Sequence, residues 1–248
     1  MNRPSKFLLA CIPALLVACG GAEDALSIAD PAVRFVDASA SAPNLTLYRD
    51  TAAQGEATDV GYKFASDYYN VPTSFADWSV RNALSGATVD SASIDPARGT
   101  KYTIIALPTS ALATGIYVIA DPYNKAIGSN STRLRVANGR FGAPAIDVYM
   151  NAVGTDIATA GVNPLIAATA ANTSGPAAGT DSVDIPAGTW QVTIAAAGTK
   201  TVLFQGKMAF GDNQDILLVV LHDNVVPGMA QTLFKVEGTG GLNQIPTM

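Results

Sequence analysis

Hydrophobic and polar positions alternate along this chain in short runs, with little of the three-to-four-residue recurrence of helices. Trp190-Gln191-Val192-Thr193-Ile194 switches at every residue, and Thr46-Leu47-Tyr48 and Asp147-Val148-Tyr149 do much the same. That is the period of a half-buried strand. Ile216 to Leu221 is an unbroken apolar run of β-branched residues and leucine, which suits a central strand buried on both faces. Turn chemistry separates the runs at Pro186 to Gly188, Ala197 to Thr199 and Gly211 to Asn213. Only Asn163 to Ala171 admits a helix, with Pro164 at its start. A loop of small residues fits that stretch as well.

The strand pattern occurs twice. Val33 to Asp37 and Ala42 to Asp50 can be laid on Leu134 to Asn138 and Ala143 to Asn151 at an offset of 101. Asn70-Val71-Pro72 falls on Asp184-Ile185-Pro186, Trp78 and Val80 on Val192 and Ile194, and Tyr102 to Leu107 on Ile216 to Leu221, all at an offset of 114. Two constant offsets separated by one 13-residue insertion, within Ala152 to Thr180, imply a duplicated unit. We expect an all-β protein of two tandem immunoglobulin-like β-sandwich domains, with about seven short strands each. The first spans Ala29 to Pro122 and the second Thr132 to Glu237, joined by a linker from Tyr123 to Ser131 and followed by a C-terminal tail from Gly238. Each is near 100 residues, enough for a core of its own, so the second domain is expected to fold when expressed alone.

The first eighteen residues read as a signal peptide, because Arg3 and Lys6 precede an apolar stretch from Phe7 to Ala18 that is too short to span a bilayer as a stable helix. Leu16-Val17-Ala18-Cys19-Gly20 resembles a bacterial lipobox, which implies acylation of the Cys19 thiol, cleavage before it, and a lipidated tether over residues 19–28. A general signal peptidase cutting nearby would leave Cys19 an ordinary thiol. More than one acyl chain gives stable anchoring without a membrane-spanning helix. By the sorting rule that goes with the lipobox, Gly20 after the cysteine implies the outer membrane of a Gram-negative bacterium. Loss of Arg3 and Lys6 leaves 13 basic against 20 acidic residues, a net charge of −7 where the full chain has −5. That balance argues against a nucleic-acid partner. Hydrophobic residues at 48% and charged residues at 14%, with 22 Gly and 14 Pro, argue against disorder and against long helices.

An arginine-containing strand, a short loop, Ala-Pro, a strand ending in Asp-Val-Tyr at 147–149, then Ile-Pro-Ala-Gly-Thr-Trp-Gln-Val at 185–192 and a late hydrophobic strand resemble the envelope domain family DUF4397. The likeness is closer over Thr132 to Leu221 than over Val33 to Leu107, and it implies two tandem copies. Members of that family usually carry a histidine in the loop after the first strand, where this chain has Asp37 and Asn138. The family has no agreed biochemical activity, so the resemblance bears on fold alone.

Candidate chemistry is sparse. Cys11 leaves with the signal, so neither a disulfide framework nor a cysteine metal site is expected. His222 follows the apolar run at 216–221 and enters a turn, where it reads as a strand-end residue held by local hydrogen bonds; no Gly-x-Ser-x-Gly elbow accompanies it. The aspartates sit mainly at turns, where their carboxylates bond the local backbone. Asp212-Asn213-Gln214-Asp215 clusters oxygen ligands, yet it lacks the EF-hand pattern, and calcium binding there stays open. Trp78 and Trp190 read as core. Of the adjacent Tyr68 and Tyr69, one side chain should face outward and could meet a ligand. We therefore expect no enzyme and no cofactor or metal, but a cell-envelope lipoprotein acting as a binding, adhesion or structural module for a glycan or protein. The alternatives are a carboxylate-dependent carbohydrate-active enzyme and a periplasmic assembly partner that docks through a sheet edge.

Overall fold

A computed structural model describes residues 29–123, 126–222, 232–237 and 241–248. The signal segment, Cys19 and its tether lie outside the described residues. The first half contains β1 (Ala32–Asp37), β2 (Leu45–Arg49), β3 (Ala52–Ala53), β4 (Tyr69–Asn70), β5 (Ala76–Asn82), β6 (Thr88–Ile94), β7 (Thr100–Pro108) and β8 (Thr114–Pro122). They form two sheets, ordered β4-β1-β7-β8 and β3-β2-β5-β6. The second half contains β9 (Ser131–Asn138), β10 (Ile146–Asn151), β11 (Ile166–Thr169), β12 (Thr173–Gly175), β13 (Val183–Pro186), β14 (Gly188–Ala196), β15 (Val202–Phe210), β16 (Gln214–Leu221), β17 (Thr232–Glu237) and β18 (Leu242–Gln244). Its sheets are β12-β9-β16-β17-β18, with β13 also on β9, and β11-β10-β14-β15.

The two halves repeat one topology in one register. Ala32 pairs with Lys101 in the parallel ladder β1/β7, as Arg133 pairs with Asp215 in β9/β16. Leu47 lies opposite Val80, as Val148 lies opposite Ile194. Ala32 also meets Asn70, as Arg133 meets Asp184. These three equivalences obey the offsets of 101 and 114, whereas Val118 lies opposite Ile104 and Lys235 opposite Leu218, which puts β8 and β17 at an offset of 117. Parallel strands at the centre of a sheet are ordinarily buried on both faces, and here the alternating side chains of the inner sheets enter two different cores.

The stacking follows from those side chains. In the first sandwich Val33, Phe35, Ile104 and Ala106 of the inner sheet pack on Leu45, Leu47, Trp78 and Val80 of the outer one. In the second, Leu134, Val136, Ile216 and Leu218 pack on Ile146, Val148, Val192 and Ile194. A third core joins the halves, because Val36, Ile105, Leu107 and Ile119 meet Leu217, Val219, Leu221 and Phe234. The chain is thus four sheets deep, with β16 feeding one core through Ile216, Leu218 and Val220 and the next through Leu217, Val219 and Leu221. Gly139 permits the close approach, since a methyl group there would lie 2.7 Å from both Leu107 Cδ2 and Leu221 Cδ2. The ends of β7 and β16 therefore lie together, and Ala29 and Tyr123, both bonded to Gly99, share the opposite end.

Two segments differ from expectation. Asn163 to Ala171 forms neither helix nor simple loop, but supplies β11, which pairs with β10 around a bulge. Asp147 explains this, since its Oδ1 accepts the Ala168 N–H at 2.8 Å, a donor that a helix would have used internally. Residues 241–248, read as a tail, are built into the body. β18 extends the sheet from β17, and the Leu242 N–H donates to Lys63 O at 2.8 Å in the other half. Ile245 joins the second core, and Thr247 bridges to Gly206.

A shared third core predicts that the halves unfold together. Calorimetry on the whole chain should show one transition, and two separated transitions would mean that the middle layer does not couple the sandwiches. By the same argument the second half alone would expose Leu217, Val219 and Leu221, which is a reason to doubt its independent folding.

Candidate functional site

Charge gathers at the linker end of the interface between the halves, where the inner sheets meet with polar instead of apolar side chains. Arg135 is buried and crosses from β9 to the first half. Its Nη2 is 3.0 Å from Asp121 Oδ1, and its Nε donates to Ser182 Oγ at 3.1 Å. Nη1 donates to the carbonyls of Pro176 at 2.5 Å and Ala177 at 3.0 Å, and Nη2 also reaches the carbonyl of Thr180. Asp121 accepts in turn from Ser182 Oγ at 2.6 Å. Such a fork is fully engaged, and deleting one partner of a buried ion pair typically costs about 3–5 kcal/mol, because the other charge is stranded.

Arg34, the equivalent of Arg135, donates through Nε to Thr103 Oγ1 at 2.9 Å and lies 4.6 Å from the ring of Tyr68. Lys101 Nζ sits 3.3 Å from the centroid of Tyr123, with the Arg133 guanidinium 4.6 Å from the same ring. Asp215 faces this group from β16. Burial raises its pKa most, with Asp121 adding to the rise, while Arg34, Lys101 and Arg133 pull it down. Lys101 and Asp215 occupy equivalent positions in the two halves and carry opposite charge.

The tyrosines expected to offer an outward face do not. Tyr68 and Tyr69 are both half-buried. Tyr68 turns into the charged interface, its hydroxyl 3.0 Å from Thr103 Oγ1, and burial pushes its phenol up to about 12 against the opposing pull of Arg34. Tyr69 turns into the first core, and burial, then the charge of Glu56, raises its phenol too. Successive strand residues do alternate, but here each side of the strand is covered, one by the sandwich and one by the other half.

The run at 212–215 is likewise divided. Asp212 Oδ1 accepts the Ser131 N–H at 3.1 Å, and Gln214 Oε1 accepts the Gly211 N–H at 2.6 Å, while Asp215 points into the interface. Among the described residues no group of three or more His, Cys, Asp or Glu could hold a metal ion. His222 is half-buried, with Nε2 3.0 Å from Phe141 O and its ring edge-on to Phe141. Asp50, Asp90, Asp147 and Asp156 each accept a backbone N–H, Asp156 within a local turn, Asp90 within β6, and Asp50 and Asp147 from segments distant in sequence, so these carboxylates are committed to the backbone. The free edge of β8 is capped as well, with Ile116 N–H donating to Asp90 Oδ2 at 2.8 Å and Gly179 N–H to Ala120 O at 2.7 Å.

Asp37 and Asn138 stand at equivalent buried positions with different outcomes. Asn138 donates through Nδ2 to Thr169 O at 2.9 Å and accepts the Arg140 N–H. Among the described residues Asp37 accepts only the Ser39 N–H, at 3.0 Å, and its Oδ2 has no partner. Burial pushes Asp37 up to about 7, with the Ser39 bond opposing.

Trp78 is fully buried, whereas Trp190 packs against the second core from its edge without being enclosed in it. It is half-buried at the lip of the second sandwich, where its equivalent in the first half is the small Ala76, and its Nε1 donates to Pro186 O at 3.0 Å. Alternation placed Trp190 on the correct face and could not show that this face runs out at the strand's end. Met150, Leu165, Asp184, Ile185, Pro186 and Trp190 line a depression of about 160 Å³ there. That is smaller than pockets that enclose a ligand, roughly 300 Å³ and upward. It is an indole-based shelf, and the carboxylate of Asp184, one of the residues lining it, lies 3.5 Å from Arg133 of the charged interface.

Residues 31–149 match the family model described as Domain of unknown function (DUF4397). The DUF4397 match takes in the whole first sandwich and continues through β9 into β10. It does not extend over the rest of the second half, although that half repeats the same register. No curated protein matches the chain. Among solved structures, a family 41 carbohydrate-binding module from streptococcal virulence factors is similar at 13% identity and a TM-score of 0.26, over 77% of this chain and 93% of that one. A family 26 carbohydrate-binding module from Eubacterium rectale Amy13K, solved with maltoheptaose, is similar at 10% identity and a TM-score of 0.25, over 83% and 97%. Likenesses at this level carry no argument about a ligand.

The orphaned Asp37 sets a pH dependence. A carboxyl raised from 3.8 to about 7 on folding stabilises the fold while protonated, and that contribution is lost as pH rises through about 7. Urea denaturation should show roughly 2–3 kcal/mol less stability at pH 8 than at pH 5 from this group. Asp37→Asn should flatten that slope, and an unchanged slope would assign it elsewhere.

Proposed function

We propose that this chain is a non-enzymatic lipoprotein of the cell envelope, anchored through Cys19 at the outer membrane, whose fused sandwiches present a binding surface for an envelope glycan. The observation that carries the reading is the Trp190 shelf. An indole face held by its own hydrogen bond to Pro186 O, flanked by Met150 and Leu165, offers a flat apolar contact for the C–H face of a sugar ring. The rigid frame supports the reading too, because an ordered platform loses little conformational entropy when a ligand binds. Carboxylates committed to backbone amides and buried pairs are poor general acids or bases, which favours binding over hydrolysis.

Trp190→Ala should weaken binding of soluble peptidoglycan or envelope oligosaccharide fragments about tenfold or more by calorimetric titration, since it removes the stacking face. An unchanged affinity would remove the shelf from the reading. Turnover of those fragments by the purified body, abolished by one Asp substitution, would replace it with the hydrolytic alternative. Separately, Cys19→Ala should abolish acyl labelling and membrane retention in fractionated cells, and retention without labelling would overturn the anchor.

A further inference from the structure

Three loops meet at the end of the first sandwich farthest from Ala29: residues 38–44, the β5/β6 turn at 83–87 and the β7/β8 turn at 109–113. The Ala83 N–H donates to Asn44 O at 2.8 Å, and Ser39 Oγ lies 2.6 Å from Thr114 Oγ1, so the loops are tied together. β6 runs beside β8, joined through Asp90 and the Ile116 N–H. None of the three loops contains Asp, Glu, Lys, Arg or His. At the two turn tips stand Leu84, 98% exposed, and Leu112, 93% exposed.

A single exposed leucine needs no explanation. Two at neighbouring tips, on an apex with no charge in its loops, do. The β5/β6 turn has a further property, which is that its amides need nothing from water. Leu84 and Ser85 both donate to Asn82 Oδ1, at 2.9 and 3.1 Å. Gly86 donates to Asn82 O at 2.8 Å, and Ala87 to Ser85 Oγ at 3.3 Å. In the second turn Thr109 and Ser110 donate to Ala113 O, and Leu112 to Ser110 Oγ. A protein partner would normally be met by free edge groups or rim charges. An uncharged, convex tip whose amides in the β5/β6 turn are satisfied within the protein suits the polar–apolar boundary of a bilayer, because amides entering it need not give up bonds to water.

We propose that this apex docks into the interfacial region of a lipid bilayer through Leu84 and Leu112. The surface is distinct from the Trp190 shelf and does not depend on glycan binding. Geometry allows the apex and an N-terminal anchor to share one membrane. The ten residues 19–28 reach at most about 35 Å, against about 30 Å for the nine-residue β7 that sets the sandwich height.

The test is site-specific photocrosslinking in the full chain reconstituted with phosphatidylcholine vesicles, with benzoylphenylalanine replacing Leu84, Leu112 or, as control, Val153. Val153 is exposed and lies at the opposite end, so it reports any labelling due to the anchor alone. Lipid adducts from positions 84 and 112 should exceed those from 153 by about tenfold. With the probe at 112, Leu84→Ser should lower the yield severalfold. Equal labelling at all three positions, or chain-to-chain adducts in place of lipid adducts, would overturn the proposal, the latter in favour of self-association.

Discussion

Burial of the two inner sheets on both faces is the constraint from which the rest of the structure follows. A strand that serves two cores has no solvent side on which to place polar residues, so β7 and β16 are apolar for most of their length. Polar groups that do occur there must be satisfied within the protein, as Arg135 and Asp121 are, or remain costly, as Asp37 is. The outer sheets, freed from that double duty, carry the turns, the indole shelf and the long elaboration of the second half.

Much of the fold was legible from the chain itself. Offsets of 101 and 114 reappear in the ladders β1/β7, β1/β4, β2/β5 and β5/β6 and their counterparts in the second half, and the apolar run at 216–221 is that of a strand covered on both sides. What escaped was the way the two halves meet. Tyr68 and Tyr69 were read against a solvent face that the second half removes. Residues 241–248 carry a weak pattern of their own and owe their order to Lys63, Leu233 and Gly206, all distant in sequence. The stretch at 163–171 follows the same rule, since its conformation is set by the carboxylate of Asp147 and not by its own propensities.

The candidate site was less legible than the fold. Trp190 carries the same alternation signal as a core tryptophan, and only the end of the sandwich distinguishes the two. A hint lay in the repeat, where the equivalent residue is Ala76: a position filled by alanine in one copy and tryptophan in the other is unlike a conserved core site in volume. The interface arginines were visible as a recurring arginine in the first strand of each half, yet nothing local says that their partners come from across the molecule.

Lys101 and Asp215, equivalent in position and opposite in sign, have a consequence for assembly. Were either half to pair with a copy of itself through the same face, like charges would converge where unlike ones now meet. The halves therefore behave as the two unlike subunits of a heterodimer that happen to be covalently joined, each reserved for the other. A change of charge at this face in one half would leave its counterpart across the interface unmatched.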